Sequence, residues 1–145
     1  MDLMTDHIEI TDEPISLSAV SAFLRQSEGG AVNLFLGTTR KVTGERITVE
    51  LRYEAAPDLA RAEIERIIGR AREQWGLLRV SIVHRIGIVP VGEASVVIGV
   101  ATAHRDESFR ACRFLIDELK RRVPIWKKET FADGSKEWVE GTVPE

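Results

Sequence analysis

The feature that most constrains the fold is an apolar run, SVVIGVATA at residues 95–103, which passes directly into a helical pattern. A continuous apolar run of this length is typical of a strand buried on both faces of a sheet. The residues that follow recur at intervals of three and four, which predicts one buried stripe on a helix. That stripe consists of Phe109, Cys112, Ile116, Leu119 and Val123. Pro124 ends the helix because it lacks an N–H and disfavours helical backbone in the residue before it.

Cationic side chains stand at both ends of this predicted helix. His104 and Arg105 begin it, where backbone N–H groups favour anions and an arginine fork adds bidentate geometry. Lys120 lies in its last turn, and Lys127 follows Pro124. We expect Trp126 to be buried and to fix the backbone, which would fix the direction of the Lys127 side chain. Each of these cations also has a purely structural interpretation, as a surface ion pair or a solvated basic face. Our hypothesis is an anion-binding site.

A second cationic position follows an earlier strand. Residues 31–36 form a compact apolar run, which predicts a buried strand, and this strand delivers Thr38, Thr39 and Arg40 to its end. The polar, glycine-containing residues 41–46 predict a mobile turn. If Arg40 joined the other cations, like charges about 4 Å apart would repel by about 4 kcal/mol at an effective dielectric of about 20. A bound anion would relieve that repulsion, and crowding would otherwise lower a lysine pKa.

Helix signals complete the outline of the fold. Ser16 is a predicted N-cap for a helix that ends at Gly29-Gly30, and Asp58 is a predicted N-cap for a second helix. Residues 78–89 predict one further strand. Neighbouring strands and single helices alternate without repeats or linkers. We therefore predict one compact α+β domain over residues 1–145, with a mixed or antiparallel sheet and about three helices.

Composition excludes several classes of function. A net charge of -3 gives no general reason to expect nucleic acid as a partner, because nucleic-acid-binding domains usually present a basic surface. No window approaches the roughly 18 apolar residues that span a bilayer, so we expect no membrane association. The acidic start of the chain lacks the basic and apolar regions of a signal peptide, and we expect a cytoplasmic protein.

The cysteine and the histidines argue against a metal centre. A single cysteine forms no intrachain disulfide and no cysteine-based zinc cluster. Cys112 lies on the apolar stripe, so we interpret it as a small buried hydrophobic residue rather than a reactive thiol. His7, His84 and His104 are far apart and match no ligand spacing. We expect no metal and no bound cofactor.

Several strings together resemble one known family. They are FLGTTR at residues 35–40, the YEAAPDLA region at 53–60, AHR at 103–105, DELK at 117–120, PIWKKE at 124–129 and the terminal KEWVEG. The AHR, DELK and PIWKKE strings are the most specific. Over nearly its whole length the chain resembles the large, catalytic subunit of molybdopterin synthase.

The resemblance implies an α/β-hammerhead-type fold and a homodimer, with a small ubiquitin-like subunit bound to each copy to give a heterotetramer. It implies that sulfur from the small subunit's C-terminal glycine thiocarboxylate converts cyclic pyranopterin monophosphate to molybdopterin, in molybdenum cofactor biosynthesis. Lys120 and Lys127 match the family's catalytic lysines. The positions that match the lining of the substrate pocket are those two lysines and Thr38, Thr39, Arg40, His104, Arg105, Lys128 and Glu129.

The chain departs from the family pattern at two places. Ala56 stands where an aromatic residue is expected, which puts one wall contact in doubt. No basic residue follows Lys136, so we expect the C-terminal tail to add less positive charge to the pocket than it does in some members of the family.

Two other functions stay open at this point. The first is a non-catalytic module that grips an acidic peptide tail and tolerates arginine in place of Lys120 or Lys127. The second is a nucleotide- or phosphate-processing enzyme, although the chain has no GxGxxG or GxxxxGK[ST] string. The acidic pairs 117–118 and 137/140 are interpreted as solvated faces rather than as acid–base groups.

Overall fold

The computed structural model describes residues 6–140. In this part of the chain the elements are β1 (Asp6–Thr11), α1 (Leu17–Leu24), β2 (Ala31–Thr38), β3 (Val42–Thr43), β4 (Arg46–Ala55), α2 (Pro57–Gln74), β5 (Leu77–Arg85), β6 (Gly87–Val89), β7 (Ala94–Thr102), α3 (Arg105–Arg122), β8 (Ile125–Phe131) and β9 (Lys136–Glu140). The fold is α+β with three helices and mixed sheets, as predicted.

The first sheet has four strands in the order β1-β5-β7-β2. Strand β7 runs antiparallel to both β5 and β2, while β1 pairs with β5 in parallel. All residues of β7 after Ala94 are buried, which confirms that the apolar run at 95–103 forms a central strand. The continuous burial follows from cover on both faces of the strand.

Helices cover the first sheet on both faces. Helices α2 and α3 pack with the inward side chains of β5 and β7, such as Val80 and Ile98, to form the larger core. Alternate residues of the same strands face the other way, where Val83 and Val97 pack against Leu24 of α1. Gly99 of β7 has no side chain because a Cβ there would lie 2.4 Å from a methyl carbon of Leu24.

The second sheet has five strands. Its order is β3-β4-β8-β9, and β6 also pairs with β4. The sequence predicted one strand over 78–89, but the strand is interrupted at Ile86, and the next strand begins at Gly87, whose φ is +81°. Glycine adopts this left-handed conformation without steric penalty. The chain therefore leaves the first sheet at the end of β5 and joins the second sheet as β6.

Some predicted helix ends and faces are corrected by the structure. Ser16 caps α1 as predicted, its hydroxyl accepting the N–H of Ala19 at 3.2 Å, but α1 ends at Leu24 rather than at Gly29-Gly30. The N-cap of α2 is Ala56, not Asp58, because Pro57 occupies the first helical position. Phe109 is 62 % exposed rather than buried.

Residues 31–36 form a strand as predicted, but the prediction that this strand is buried is wrong, because β2 leaves an apolar surface uncovered. It is an edge strand, and Val32, Leu34, Phe35 and Leu36 are each between 37 and 40 % exposed. Phe109, in the second turn of α3, adds to this surface. An apolar edge strand of this kind is a template for association with another chain.

Within residues 6–140, none of the helices is both long and apolar enough to cross a membrane. In the same range, no group of three or more His, Cys, Asp or Glu side chains is arranged to hold a metal ion.

Candidate active site

The two ends of the first sheet carry different candidate residues. Val96 of β7 pairs with Gly37 of β2 on one side and with His84 of β5 on the other. At the far end of β7, Thr102 pairs with Ala31. Helix α3 begins at this far end and runs back along the sheet, so that its last turn returns to the end marked by Val96. The candidate active site lies there.

Lys120 and Lys127 come together at this end. Lys120 is in the last turn of α3, and Lys127 is on β8, where it shares the inward face with Ile125 and Glu129. Partial burial lowers the pKa of the Lys120 ammonium, and the positive charge of Lys127 lowers it further. Two lysines from separate elements are thus close enough to interact electrostatically.

Tyr53 and His84 lie beside the lysines and were not among the predicted site residues. Tyr53 is directly opposite Lys127 in the β4–β8 ladder. Its ring meets the ring of His84 edge-on, with centroids 5.3 Å apart. His84 is buried and its Nδ1 lies 2.8 Å from the backbone oxygen of Arg85. The pKa of His84 is lowered to about 4, mainly by burial. The hydrogen bond to Arg85 raises this pKa, and the charge of Lys120 lowers it further.

The hydroxyl of Tyr53 connects the two sheets. It is hydrogen bonded to Ser95 of β7, and the Ser95 Oγ donates in turn to the backbone oxygen of Gly37 at 3.4 Å. Burial raises the pKa of Tyr53, the Ser95 hydrogen bond opposes that change, and the charge of Glu129 adds to it. The hydroxyl therefore stays protonated at neutral pH.

Arg40 approaches the same end of the sheet from β2. Thr39, the residue before it, is buried: its hydroxyl donates to the backbone oxygen of Pro90 at 2.7 Å and accepts the N–H of Gly92 at 2.9 Å. Thr39 is thus engaged in holding the turn between β6 and β7. Thr38 and Arg40 are exposed, and Arg40 is the cation that this strand end presents.

The segment 126–129 divides its side chains between two faces of β8. Lys128 points away from Lys127, and its Nζ lies 5.4 Å from the ring centroid of Trp138. Trp126 shares that outer face and is 37 % exposed, so the prediction that it is buried is wrong. Lys127 is instead held by ladders on both sides of β8, from β4 and from β9.

Glu129 is buried and engaged by hydroxyl groups. Its carboxylate accepts a short hydrogen bond from Thr48 and a longer one, of 3.4 Å, from Thr43. Thr43 belongs to the hairpin that follows Arg40. The carboxylate thereby ties this hairpin to β8, the strand that carries Lys127.

His104 and Arg105 lie at the other end of the sheet. The backbone of His104 caps α3 without a side-chain hydrogen bond, and a cavity of about 490 Å³ is lined by both residues together with Gly30 and Phe109. Arg105 is 15 positions before Lys120, which corresponds to about 22 Å along a helix. One chain by itself does not bring all the predicted cations into one pocket.

One thiol and one carboxylate of α3 are buried. Cys112 is buried as predicted, its Sγ donates to the backbone oxygen of Ile98 at 3.7 Å, and burial raises its pKa to about 11. Glu118 is also buried, so its interpretation as a solvated residue is wrong. Its carboxylate accepts from Arg121 at 2.7 Å and from Arg122 at 2.6 Å, so both arginines are engaged in ion pairs with Glu118.

Comparison with known proteins identifies relatives of the whole domain. The family model described as MoaE protein matches residues 10–122. Molybdopterin synthase catalytic subunit from Bos taurus is 42% identical over 133 residues, which are 92% of this chain and 70% of that protein. The Homo sapiens protein of the same description is 40% identical over 130 residues, 90% of this chain and 69% of that one.

A solved structure agrees with these sequence matches. The crystal structure of molybdopterin synthase from Staphylococcus aureus includes a chain that superposes with a TM-score of 0.86 at 36% identity. The superposition covers 90% of this chain and 95% of that chain.

Proposed function

The chain belongs to the MoaE family of molybdopterin synthase catalytic subunits, and we propose that it transfers sulfur from a small subunit to cyclic pyranopterin monophosphate. The sulfur donor is the C-terminal thiocarboxylate of a ubiquitin-like protein, and the product is the dithiolene of molybdopterin. The observation that carries this proposal is the proximity of Lys120 to Lys127 at the strand end that also presents Arg40.

The lysine pair supports two complementary roles. Lys120, whose pKa is lowered by burial and by Lys127, is nearer to losing its proton and moves protons as sulfur attacks the pterin side chain. Lys127 polarises the thiocarboxylate carbonyl, where negative charge develops. Arg40 supplies a planar donor for the substrate phosphate. Both incoming groups are anions, and a cationic pocket receives them with less repulsion among its own side chains.

The sulfur comes from outside this chain. Cys112 is the single cysteine, and its buried thiol with a pKa of about 11 is protonated at neutral pH. A thiolate is the form that carries or transfers sulfur. The relatives are named catalytic subunits, a description that implies a second kind of subunit, and this supports a partner as the sulfur carrier.

A second copy of the chain completes the pocket. A cavity of about 420 Å³ extends along α3 from Phe109 to Lys120, and Leu34 and Phe35 of the apolar β2 edge line its other side. In the homodimer that we propose, the same patch is used by both copies and the two-fold axis crosses α3 at right angles, which places the two α3 helices side by side and antiparallel. Arg105 of the partner subunit then lies beside Lys120.

The test is direct reconstitution. The purified protein is mixed with the thiocarboxylated small subunit and cyclic pyranopterin monophosphate, and product is detected by mass spectrometry as a pterin in which two sulfur atoms have replaced oxygen. A small subunit that ends in an ordinary carboxylate is the control and yields no product. Tight binding of the thiocarboxylated tail without any turnover would instead support a non-catalytic binding module.

A further inference from the structure

Half-buried Tyr53 and buried His84 have no part in the function proposed so far. We propose that these two residues are positioning residues for the lysine pair, with Tyr53 as a rigid wall for Lys127 and His84 as an uncharged hydrogen-bond acceptor for Lys120. This inference rests on the proposed function and deepens it. It concerns residues that act through the lysines and do not touch the substrate.

Tyr53 is held at both ends of its side chain. Directly opposed residues of an antiparallel pair have Cβ atoms about 4.5–5.5 Å apart, so the Tyr53 ring stands beside the start of the Lys127 side chain. The ring edge is fixed against His84 and the hydroxyl is fixed by Ser95. A flexible lysine next to a fixed ring has fewer conformations available, which holds its amine toward Lys120.

His84 has one lone pair to offer. Its Nδ1 lies 2.8 Å from a backbone carbonyl oxygen, which only accepts, so Nδ1 carries the proton. In the uncharged ring Nε2 is therefore an acceptor. Burial keeps the ring uncharged at neutral pH, and Lys120 is close enough for its charge to disfavour the imidazolium.

An uncharged acceptor suits a site that must bind anions. A carboxylate in this position would pair with Lys120 and cancel the charge intended for the substrate, whereas a second cation would repel it. The charged groups that face this region are Lys120 from α3, and Lys127 and Glu129 from β8. The guanidinium of Arg85 is directed to Glu93, at 2.7 Å, and leaves the imidazole as the polar group of β5 at this position.

The experiment compares Tyr53→Phe, His84→Leu and His84→Gln in the reconstituted complex with wild type. Tyr53→Phe keeps the ring and removes the hydroxyl, while His84→Gln keeps an uncharged acceptor that His84→Leu removes. We expect kcat to fall about ten-fold in Tyr53→Phe and His84→Leu with KM changed less than two-fold, and His84→Gln to regain most of the loss. Ser81→Ala, which removes another buried hydroxyl from β5, is the matched control and keeps the wild-type rate.

A readout independent of turnover separates this inference from the proposed function. The titration of Lys120 is followed by NMR in the free protein, where loss of the acceptor in His84→Leu shifts its midpoint to lower pH and His84→Gln restores it. An unmoved midpoint in folded His84→Leu overturns the role of His84, whether or not the wild type makes product. A wild-type rate in Tyr53→Phe overturns the role of Tyr53, and its intact ring keeps that variant folded.

Discussion

Lys127 of β8 lies near enough to Lys120 of α3 for its charge to lower the pKa of the Lys120 ammonium. The two residues are separated by a proline and by a change from helix to strand, and only the folded chain brings them together. This proximity is the basis for most of the outcomes expected below.

Replacing Lys127 with alanine removes one of the causes of the lowered Lys120 pKa. We expect the pKa of Lys120 to rise toward its ordinary value, 10.5, while burial still holds it below that value. NMR titration of the lysine side chains measures the change. Lys136→Ala, on the edge strand β9, is the control and leaves the Lys120 titration unaltered. If the titration midpoint of Lys120 is the same in Lys127→Ala as in wild type, the two lysines are not close together.

Arginine at position 120 keeps the charge but cannot give up its proton. We expect Lys120→Arg to bind the small subunit normally and to lose product formation by about 10²–10⁴-fold, the usual contribution of general acid–base catalysis. Single-turnover kinetics and a binding titration measure the two quantities. Lys136→Arg is the matched control. Full turnover with Lys120→Arg favours a module that only grips the tail.

Mixed dimers test whether the pocket is shared between two copies. Lys120→Ala and Arg105→Ala are each expected to be inactive as homodimers. When the two variants are mixed and allowed to exchange, half of the sites in each mixed dimer combine an intact Lys120 with an intact Arg105 of the partner subunit. We expect activity to return toward half of the wild-type value in such dimers. Failure of the mixture to regain activity, with exchange demonstrated by mass spectrometry, contradicts the shared pocket.

His84 makes stability depend on pH. Its pKa is about 4 in the folded chain and 6.5 when unfolded, so between these values the unfolded chain binds more protons and stability falls as the pH falls. The expected loss between pH 7 and pH 4 is about 3 kcal/mol, from 1.36 kcal/mol per pKa unit. Denaturant unfolding at several pH values measures it. His84→Gln flattens this dependence, and a dependence in that variant as steep as in wild type contradicts the assignment to His84.

Cys112 is expected to be dispensable for chemistry. Cys112→Ala removes the single thiol of the chain and leaves product formation unchanged when the small subunit carries the sulfur. The substitution leaves a small cavity, and we expect it to cost about 1–2 kcal/mol of unfolding free energy. Product formation and denaturant unfolding are measured side by side. A large loss of turnover in the folded variant shows that sulfur passes through this residue.

Hydrophobic patterning predicted the main elements because burial imposes a period on each of them. The strand at 95–103 and the buried positions Cys112, Ile116 and Leu119 of α3 are confirmed. Phe109 has the same period but is exposed, because the neighbouring strand β2 is the edge of its sheet. Periodicity assigns a residue to a face of a helix, but the sheet topology decides whether that face is covered.

The sequence predicted which residues are candidates for the site better than it predicted where they lie in the fold. Adjacent residues of a strand point to opposite faces, so Lys127 and Lys128 separate once the segment after Pro124 is recognised as β8. A histidine on an otherwise apolar strand was a signal for His84 that the sequence offered. The proximity of Lys120 to Lys127 depends on packing between distant elements, and no local pattern contains it.

The number of residues in α3 fixes the distance and the rotation between the side chains at its two ends. One inserted residue in its middle would advance everything after it by about 1.5 Å and rotate it by about 100° around the helix axis. Lys120 would then turn away from Lys127 while Arg105 stayed in place. The spacing between the AHR and DELK strings is therefore as much a requirement of this site as the residues within them.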